Sequence, residues 1–504
     1  MLERTVTVTV NGTAYPAAEG TPIGEILRDR GYGEMPCGGH GKCGKCRVTA
    51  KGPLTPPDEA ELRHLTPEEL GGGVRLACRA RVLGDCAVTF AAGPKKAQIR
   101  AGGELPPIRL EPAFGRYGAA VDIGTTTLAA RLYDREGNLL AEDTRLNPES
   151  RWGADVISRM EAAMAGHAGE IAAAIREAVD GMLRTLASEA GTAPDGIDAA
   201  VVTGNTVMLH LLTETDVEPM THAPFDSNRL FGETVTAREA GFPSLRPDAE
   251  IYFPPCAAAF VGAEVLTALM ASELCRGEGT GILVDIGTNG EMMLWHGGKL
   301  YAASTAAGPA FEGAGISMGM GGRAGAVDRV KVEDGALAAH VIGDAEPVGI
   351  CGSGLVDAVA CLLETEALDE TGFLEDDPAE IAPPVALTQD DIRQVQLAKS
   401  AIHAGMRTML HAASVDADAV ELLDVAGGFG SYLDIGNAIA IGLLPEEFEG
   451  RIRVLGNAAL AGASMLLLSV GLRAECEFRA RSVELVELAA NPVFAAEYME
   501  RMLF

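Results

Sequence analysis

Two short stretches of this chain answer each other. VDIGTTT at 121–127 returns as VDIGTNG at 284–290, each closing an apolar run, YGAAVDI and GILVDI. A second pair, VVTGNTVMLHLL at 201–212 and VLGNAALAGASMLLL at 454–468, follows in the same order. Asp122 and Gly204 lie 82 residues apart, Asp285 and Gly456 171. That pairing implies two related halves, the second with an insertion of about ninety residues. We expect an α/β body of two similar lobes, 117–280 and 281–504, with a ligand cleft between them.

The chemistry of the repeated turn follows from its residues. An apolar strand delivers Asp122, Gly124 permits a tight turn, and the amides and hydroxyls of Thr125 and Thr126 can grip phosphate oxygens. Asp285, Gly287, Thr288 and Asn289 repeat the set. Asp122 and Asp285, facing each other across the cleft, could hold Mg²⁺ through water. In DVAGGFGSYLD at 424–434, Gly427, Gly428 and Gly430 allow close backbone approach to an adenosine, where an ordinary strand–helix turn is the plainer alternative.

Composition narrows the class. The 504 residues are 47% hydrophobic and 22% charged, a globular composition with ample core. MLERTVTVTVNG carries no signal-peptide core, and the apolar run near 454–470 contains Asn457 and small residues, so it reads as a buried helix. A cytoplasmic location is expected. Net charge is −31, yet residues 1–92 hold 11 basic and 11 acidic residues, so the whole excess lies beyond them. A body this acidic repels nucleic acid and anionic membranes, and neither is expected as a partner.

The neutral first part has its own pattern. Residues 4–10 alternate polar and apolar, meet the Asn11-Gly12 turn, and lead into a second strand near 13–16. A short helix capped by Thr21 runs to Gly31, and RVTAKG and RLACRARVLGDCAVTF return as strands, a β-grasp order closing near residue 92. Residues 93–116, rich in Pro, Gly and Ala, read as an extended linker without a core.

Of ten cysteines, three sit in CGGHGKCGKC at 37–46. Cys37, Cys43 and Cys46 are spaced C-x5-C-x2-C, and Cys78, at the end of RLAC, follows Cys46 after thirty-one intervening residues. Four thiolates are the ligand set of a [2Fe–2S] cluster, and the glycines let backbone amides approach its sulfides. Zinc is the alternative, but it usually pairs two C-x2-C knuckles and this chain has one. Lys42 and Lys45 offset cluster charge, His40 is a loop residue, and Cys86 is a spare small core residue.

These residues carry three resemblances. Residues 1–92 resemble the adrenodoxin-like variant of the [2Fe–2S] ferredoxin fold. Residues 117–504 resemble the actin/sugar-kinase/Hsp70 superfamily: DIGTTT and DIGTNGE are similar to its phosphate motifs, AGGFG to its adenosine motif, and the GNT and GNA segments to the starts of its connecting helices. That implies a duplicated ribonuclease-H-like ATPase body with ATP and Mg²⁺ in the cleft. For the residue that orients the attacking water, Glu264 in AAFVGAEVL resembles the acidic position facing the cleft; Glu312 in AGPAFEGAG is its rival, and either could be a plain helix-start carboxylate. Asp122 and Asp285 complete the expected catalytic set. Lys399 either approaches nucleotide or is solvated.

Together the parts resemble the reductive activators of corrinoid proteins, with NPESRWGADVISRM at 147–160, CGSGLVDAV at 351–359 and VQLAKSAIHAG at 395–405 similar to segments of that family. Glu149 stands where Gln is expected, and the linker has no room for the small domain of longer members. The resemblance implies ATP-dependent return of one electron to cobalt(II) of a separate corrinoid protein in a methyltransferase system, since no D-x-H-x-x-G motif occurs among the nine histidines. It also implies an upstream electron donor, and a homodimer is compatible with it. The competing readings are a redox-regulated small-molecule kinase and an activator of a radical dehydratase or reductase.

Overall fold

The computed structural model describes residues 4–28, 41, 44, 46–89, 105–428 and 432–504, so Cys37, His40, Lys42, Cys43, Lys45 and Gly430 lie outside them. The chain divides into two compact units, 1–97 with 149–154, and 98–148 with 155–504.

In the first unit the alternating residues of β1 (Thr5–Val10) point Val6, Val8 and Val10 inward. Asn11 and Gly12, at φ 45° and 91°, turn the chain into β2 (Thr13–Ala18), as two left-handed residues do in a tight hairpin. With β3 (Arg47–Lys51), β4 (Val74–Leu76) and β5 (Cys86–Thr89) the sheet order is β2-β1-β5-β3-β4, with only β1 and β5 parallel. This is a β-grasp sheet. Pro16 sits on the edge strand β2, where its missing N–H costs no ladder bond. The helix Ile23–Arg28 lays Ile23, Ile26 and Leu27 on the sheet, and Cys86 lies in the same core at 7% exposure. A buried bidentate pair, Arg75 Nε and Nη2 to Glu61 at 2.9 and 2.7 Å, pins the helix Glu59–His64 beside β4, two residues before Cys78 is reached.

The second unit is built on two six-stranded sheets. In the first, β6 (Tyr117–Ile123), β7 (Thr127–Asp134) and β8 (Leu139–Leu146) form an antiparallel meander; β9 (Ile197–Gly204) joins β6 in parallel, followed by β11 (Glu250–Phe253) and the edge strand β10 (Glu233–Thr236). The second repeats the plan with β12 (Thr280–Ile286), β13 (Gly290–His296) and β14 (Lys299–Thr305) as meander. Its parallel strands are β20 (Val420–Ala426) and β21 (Ile452–Gly456), and β22 (Glu484–Leu485) closes the far edge. Between the meander and β20 lie β15 (Ala326–Glu333), β16 (Ala336–Val341) and β17 (Gly349–Ile350), then the hairpin β18 (Ala379–Ala382) and β19 (Val385–Leu387). The apolar runs of β6 and β12 are buried on both faces, as central strands between helical layers must be.

The duplication is real, but its internal register differs from the one read in the sequence. Gly204 ends the fourth strand of its sheet, whereas Gly456 ends the fifth. The counterpart of Gly204 is Gly427: Asp122 is in register with Thr203, and Asp285 with Ala426. Both glycines have positive φ, 158° and 105°, and a Cβ on either would run into the carbonyl of the residue after the aspartate, Ile123 or Ile286. Asp285 and Gly427 are 142 residues apart against 82 in the first half, so the insertion is about sixty residues. The GN letters misled because Asn205 and Asn457 both cap helices, a local role that any strand–helix junction can require.

Two further expectations meet the structure at helices. The run 454–470 holds the helix Ala458–Leu468, apolar all round because every side is covered. It crosses the helix Ala263–Ser272 so closely that a Cβ on Gly462 would overlap the Thr267 carbonyl. The described part of the expected linker, 105–116, is not free: Leu105 and Ile108 pack on the core of the second unit, Phe114 is buried there, and Glu111 and Ala113 donate to the carbonyls of Leu468 and Leu467 at 2.8 and 3.1 Å. Apolar residues spaced through a Pro-rich stretch made a docked belt look like a spacer. Among the described residues no helix is long and apolar enough to cross a membrane.

Candidate active site

Both DIGT turns lie at the ends of the first strands of their sheets. In the first, Gly124 N–H donates to Thr127 O at 3.0 Å, and a Cβ on Gly124 would lie 2.7 Å from that oxygen. Only glycine fits. The turn is braced from three other elements: Asn147 Nδ2 donates to Gly124 O at 2.8 Å, buried Arg159 donates to Thr125 O at 2.6 Å, and Asn205 Nδ2 to Thr125 Oγ1 at 3.2 Å. The Thr125 hydroxyl is therefore engaged with the scaffold, while that of Thr126 points to Glu312. In the second turn Gly287 N–H donates to Asn289 O at 3.1 Å and Thr288 Oγ1 to Glu312. Gly427, the first glycine of the expected adenosine motif, abuts Asp285 and Ile286 and so lies against the second DIGT turn; Gly428 beside it is exposed, with open space where a Cβ would stand.

The expected acids do come together, with one more. Burial pushes Asp122 up to about 6, against the hydrogen bond of 2.9 Å from Asn457 Nδ2. Asp285 rises to about 8, through burial first and then the charges of Glu291, Asp122 and Glu312. Glu291, on β13, rises to about 7 by burial. Glu264, in the first turn of Ala263–Ser272, is raised well above the usual carboxylate range by burial and by Glu291, and its Oε2 has no hydrogen-bond partner in the protein. Glu312 is raised by burial. Burial is the first cause of every one of these shifts, and the mutual repulsion of the acids adds to it at Asp285 and Glu264. Among the described residues, no group of three or more acids, cysteines or histidines is placed to hold a metal ion by itself.

Sequence reasoning named Asp122, Asp285, Glu264 and Glu312 but passed over Glu291, which was visible as the last letter of DIGTNGE. Asn147 and Arg159 lay within a segment singled out for resemblance alone. Lys399 is neither at nucleotide nor solvated: at 1% exposure it donates to Leu503 O, its ammonium 4.8 Å from the Phe504 ring.

In the first unit, Cys46 and Cys78 converge with their sulfurs 3.2 Å apart, and neither is in a disulfide. Cys78 N–H also points to Cys46 Sγ at 3.5 Å. Two thiols brought together from separate loops, with a backbone amide aimed at one, fit a shared metal centre. Cys37 and Cys43 are outside the described residues.

Comparison with known proteins decides the family. Residues 117–277 match the family model described as the RACo middle region, and 279–504 that described as the C-terminal domain of RACo, the ASKHA domain. The corrinoid activation enzyme RamQ of Eubacterium limosum is 34% identical over 77% of this chain and 70% of its own. The chain belongs to the family of reductive activators of corrinoid proteins. Within this family, the Methanosarcina barkeri protein described as [Co(II) methylated amine-specific corrinoid protein] reductase is 26% identical over 70% of each chain. The solved structure of a reductive activator for corrinoid, iron-sulfur protein superposes with a TM-score of 0.73 at 27% identity, covering 99% of this chain and 98% of that one. The activator body is thus of the actin/sugar-kinase/Hsp70 type.

Proposed function

We propose that this activator returns one electron to a separate corrinoid protein, taking cobalt(II) to cobalt(I), and that ATP bound in the cleft drives the step. The observation that carries this is the pairing of the two DIGT turns, whose Thr126 and Thr288 hydroxyls meet at one point between the lobes. Relatives named for corrinoid activation and cobalt(II) reduction support the substrate.

The residues take these roles. Gly124, Thr125, Thr126, Gly287, Thr288 and Asn289 receive the phosphates; Gly427, Gly428 and Gly430 receive the adenosine. Asp122 and Asp285 hold Mg²⁺ through water, and its charge restores both to the ionised state. Glu264 and Glu291 together hold a proton beside that site, so Glu291 can accept from, and Glu264 orient, the attacking water. Cys37, Cys43, Cys46 and Cys78 are the ligands for a [2Fe–2S] cluster, which when bound supplies one low-potential electron at a time. Electrons come from an upstream donor protein. Nucleotide drives reduction only by favouring one state of the partner complex over another, since equal affinity for both shifts nothing.

The test is anaerobic. The reduced full chain is mixed with cobalt(II) corrinoid proteins, with and without MgATP, and cobalt(I) is followed optically. Cobalt(I) that forms only with MgATP is expected. Absence of cobalt(I) with every corrinoid protein, alongside phosphorylation of a metabolite, would sink the proposal in favour of a kinase.

A further inference from the structure

One carboxylate oxygen in the cleft takes donors from both lobes. Glu312, closing the short helix Ala310–Glu312 after β14, accepts at Oε2 from Thr126 Oγ1 at 3.1 Å and from Thr288 Oγ1. These are the hydroxyls of the two DIGT turns. Each hydroxyl has one proton to give, so while Glu312 takes both, neither can bond an incoming phosphate. Among the neighbours Arg159 favours the ionised carboxylate, against burial and the nearby Asp285 carboxyl, and it braces the Thr125 carbonyl of the same turn. Glu312 is also placed so that it can leave. Glu312 is the last residue of its one-turn helix, and Gly313 and Gly315, both at φ 80°, follow it, so only the carboxylate arm has to turn away. Further along that turn, Ser317 is held to Asp391 of the helix Gln389–Ala413 by its N–H at 2.6 Å. Withdrawal therefore requires a change of the Glu312 side-chain rotamer, with the backbone on either side held in place.

We infer that Glu312 is a placeholder for phosphate. In the nucleotide-free cleft its carboxylate fills the point where a phosphate oxygen bridges the lobes, and a nucleoside polyphosphate binds by exchange for it. The inference rests on the nucleotide reading of the cleft. Exchange of one anion for another leaves Thr126 and Thr288 satisfied throughout, so the lobes stay joined in the absence of nucleotide. A residue that instead activates water or ligates the metal would help nucleotide chemistry, not oppose nucleotide binding. Loss of a metal ligand weakens nucleotide binding and loss of a water-activating group leaves it unchanged, whereas loss of a placeholder tightens it.

The experiment titrates the full chain, with Mg²⁺, against a non-hydrolysable ATP analogue and against ADP, for wild type, Glu312→Ala and Glu312→Asp. In parallel, amide hydrogen exchange of residues 124–127 and 287–289 is measured without nucleotide. The analogue should bind Glu312→Ala about tenfold more tightly than wild type. Glu312→Asp keeps the charge but falls one methylene short of bridging both hydroxyls, so it should share the gain. Exchange in both turns should quicken in Glu312→Ala. Unchanged or weaker affinity in Glu312→Ala overturns the placeholder, as does a gain in Glu312→Ala that is absent in Glu312→Asp, which assigns the effect to charge alone. A wild type that binds no nucleotide defeats the nucleotide reading instead; the exchange measurement then still decides whether Glu312 joins the turns, and unchanged exchange rules that out.

Discussion

Asp285 makes the stability of the cleft depend on pH. Its buried carboxyl keeps a proton up to about pH 8, while an unfolded aspartate has lost its own near the ordinary value of 3.8. Between those values the folded chain binds the extra proton, so metal-free stability falls as pH rises from about 4 to about 8. Asp122 and Glu291 titrate with the same sign, over narrower windows ending near 6 and 7. Asp285→Asn removes the largest of these. Calorimetry in EDTA at pH 8 should show its melting temperature raised by a few degrees over wild type, while Mg²⁺-dependent ATP hydrolysis drops by at least about a hundredfold. At this scale the residues legible in the sequence were those whose role is written in contiguous letters: Asp122, Thr126, Asp285 and Thr288. Asn147 and Arg159 were not legible as braces, because what they hold is a turn reached only through packing.

Among elements, the crossing of Ala263–Ser272 with Ala458–Leu468 has no clearance at Gly462. Gly462→Ala should cost about 2 kcal/mol, read by denaturant unfolding, because the helices must part to admit one methyl. Lys399 on the helix Gln389–Ala413 makes a second case. Burial brings its ammonium down to about 8 from 10.5, so the folded chain sheds that proton first and stability rises as pH climbs from about 8 to 10.5. Lys399→Met should abolish that rise in thermal melts and leave nucleotide affinity within about twofold, since its partners are Leu503 and Phe504. Strand content was readable here: the alternation of β1 and the apolar runs of β6 and β12 stand where their residues indicate. The register of the duplication was not. Equivalence of strands is set by sheet order, and the glycine that matches Gly204 sits in a motif with none of its neighbouring letters.

For the whole molecule, the two units have separable chemistry. Cys46→Ser and Cys78→Ser should each lose the visible absorption and bound iron of the anaerobically purified chain, and with them cobalt(I) formation, while ATP hydrolysis stays within about twofold of wild type. Loss of hydrolysis in the cysteine variants would show that the cleft depends on the metal centre. The two-unit plan was legible because charge, cysteines and repeats change together near residue 92. The belt at 105–116 was not, because three apolar side chains among prolines and glycines give no periodic signal. That belt has a mechanical meaning. Its amides finish the last turn of Ala458–Leu468, the helix that presses on its partner lobe at Gly462. A pull on residue 105 would therefore load the helix that crosses between the two sheets, rather than an outer strand.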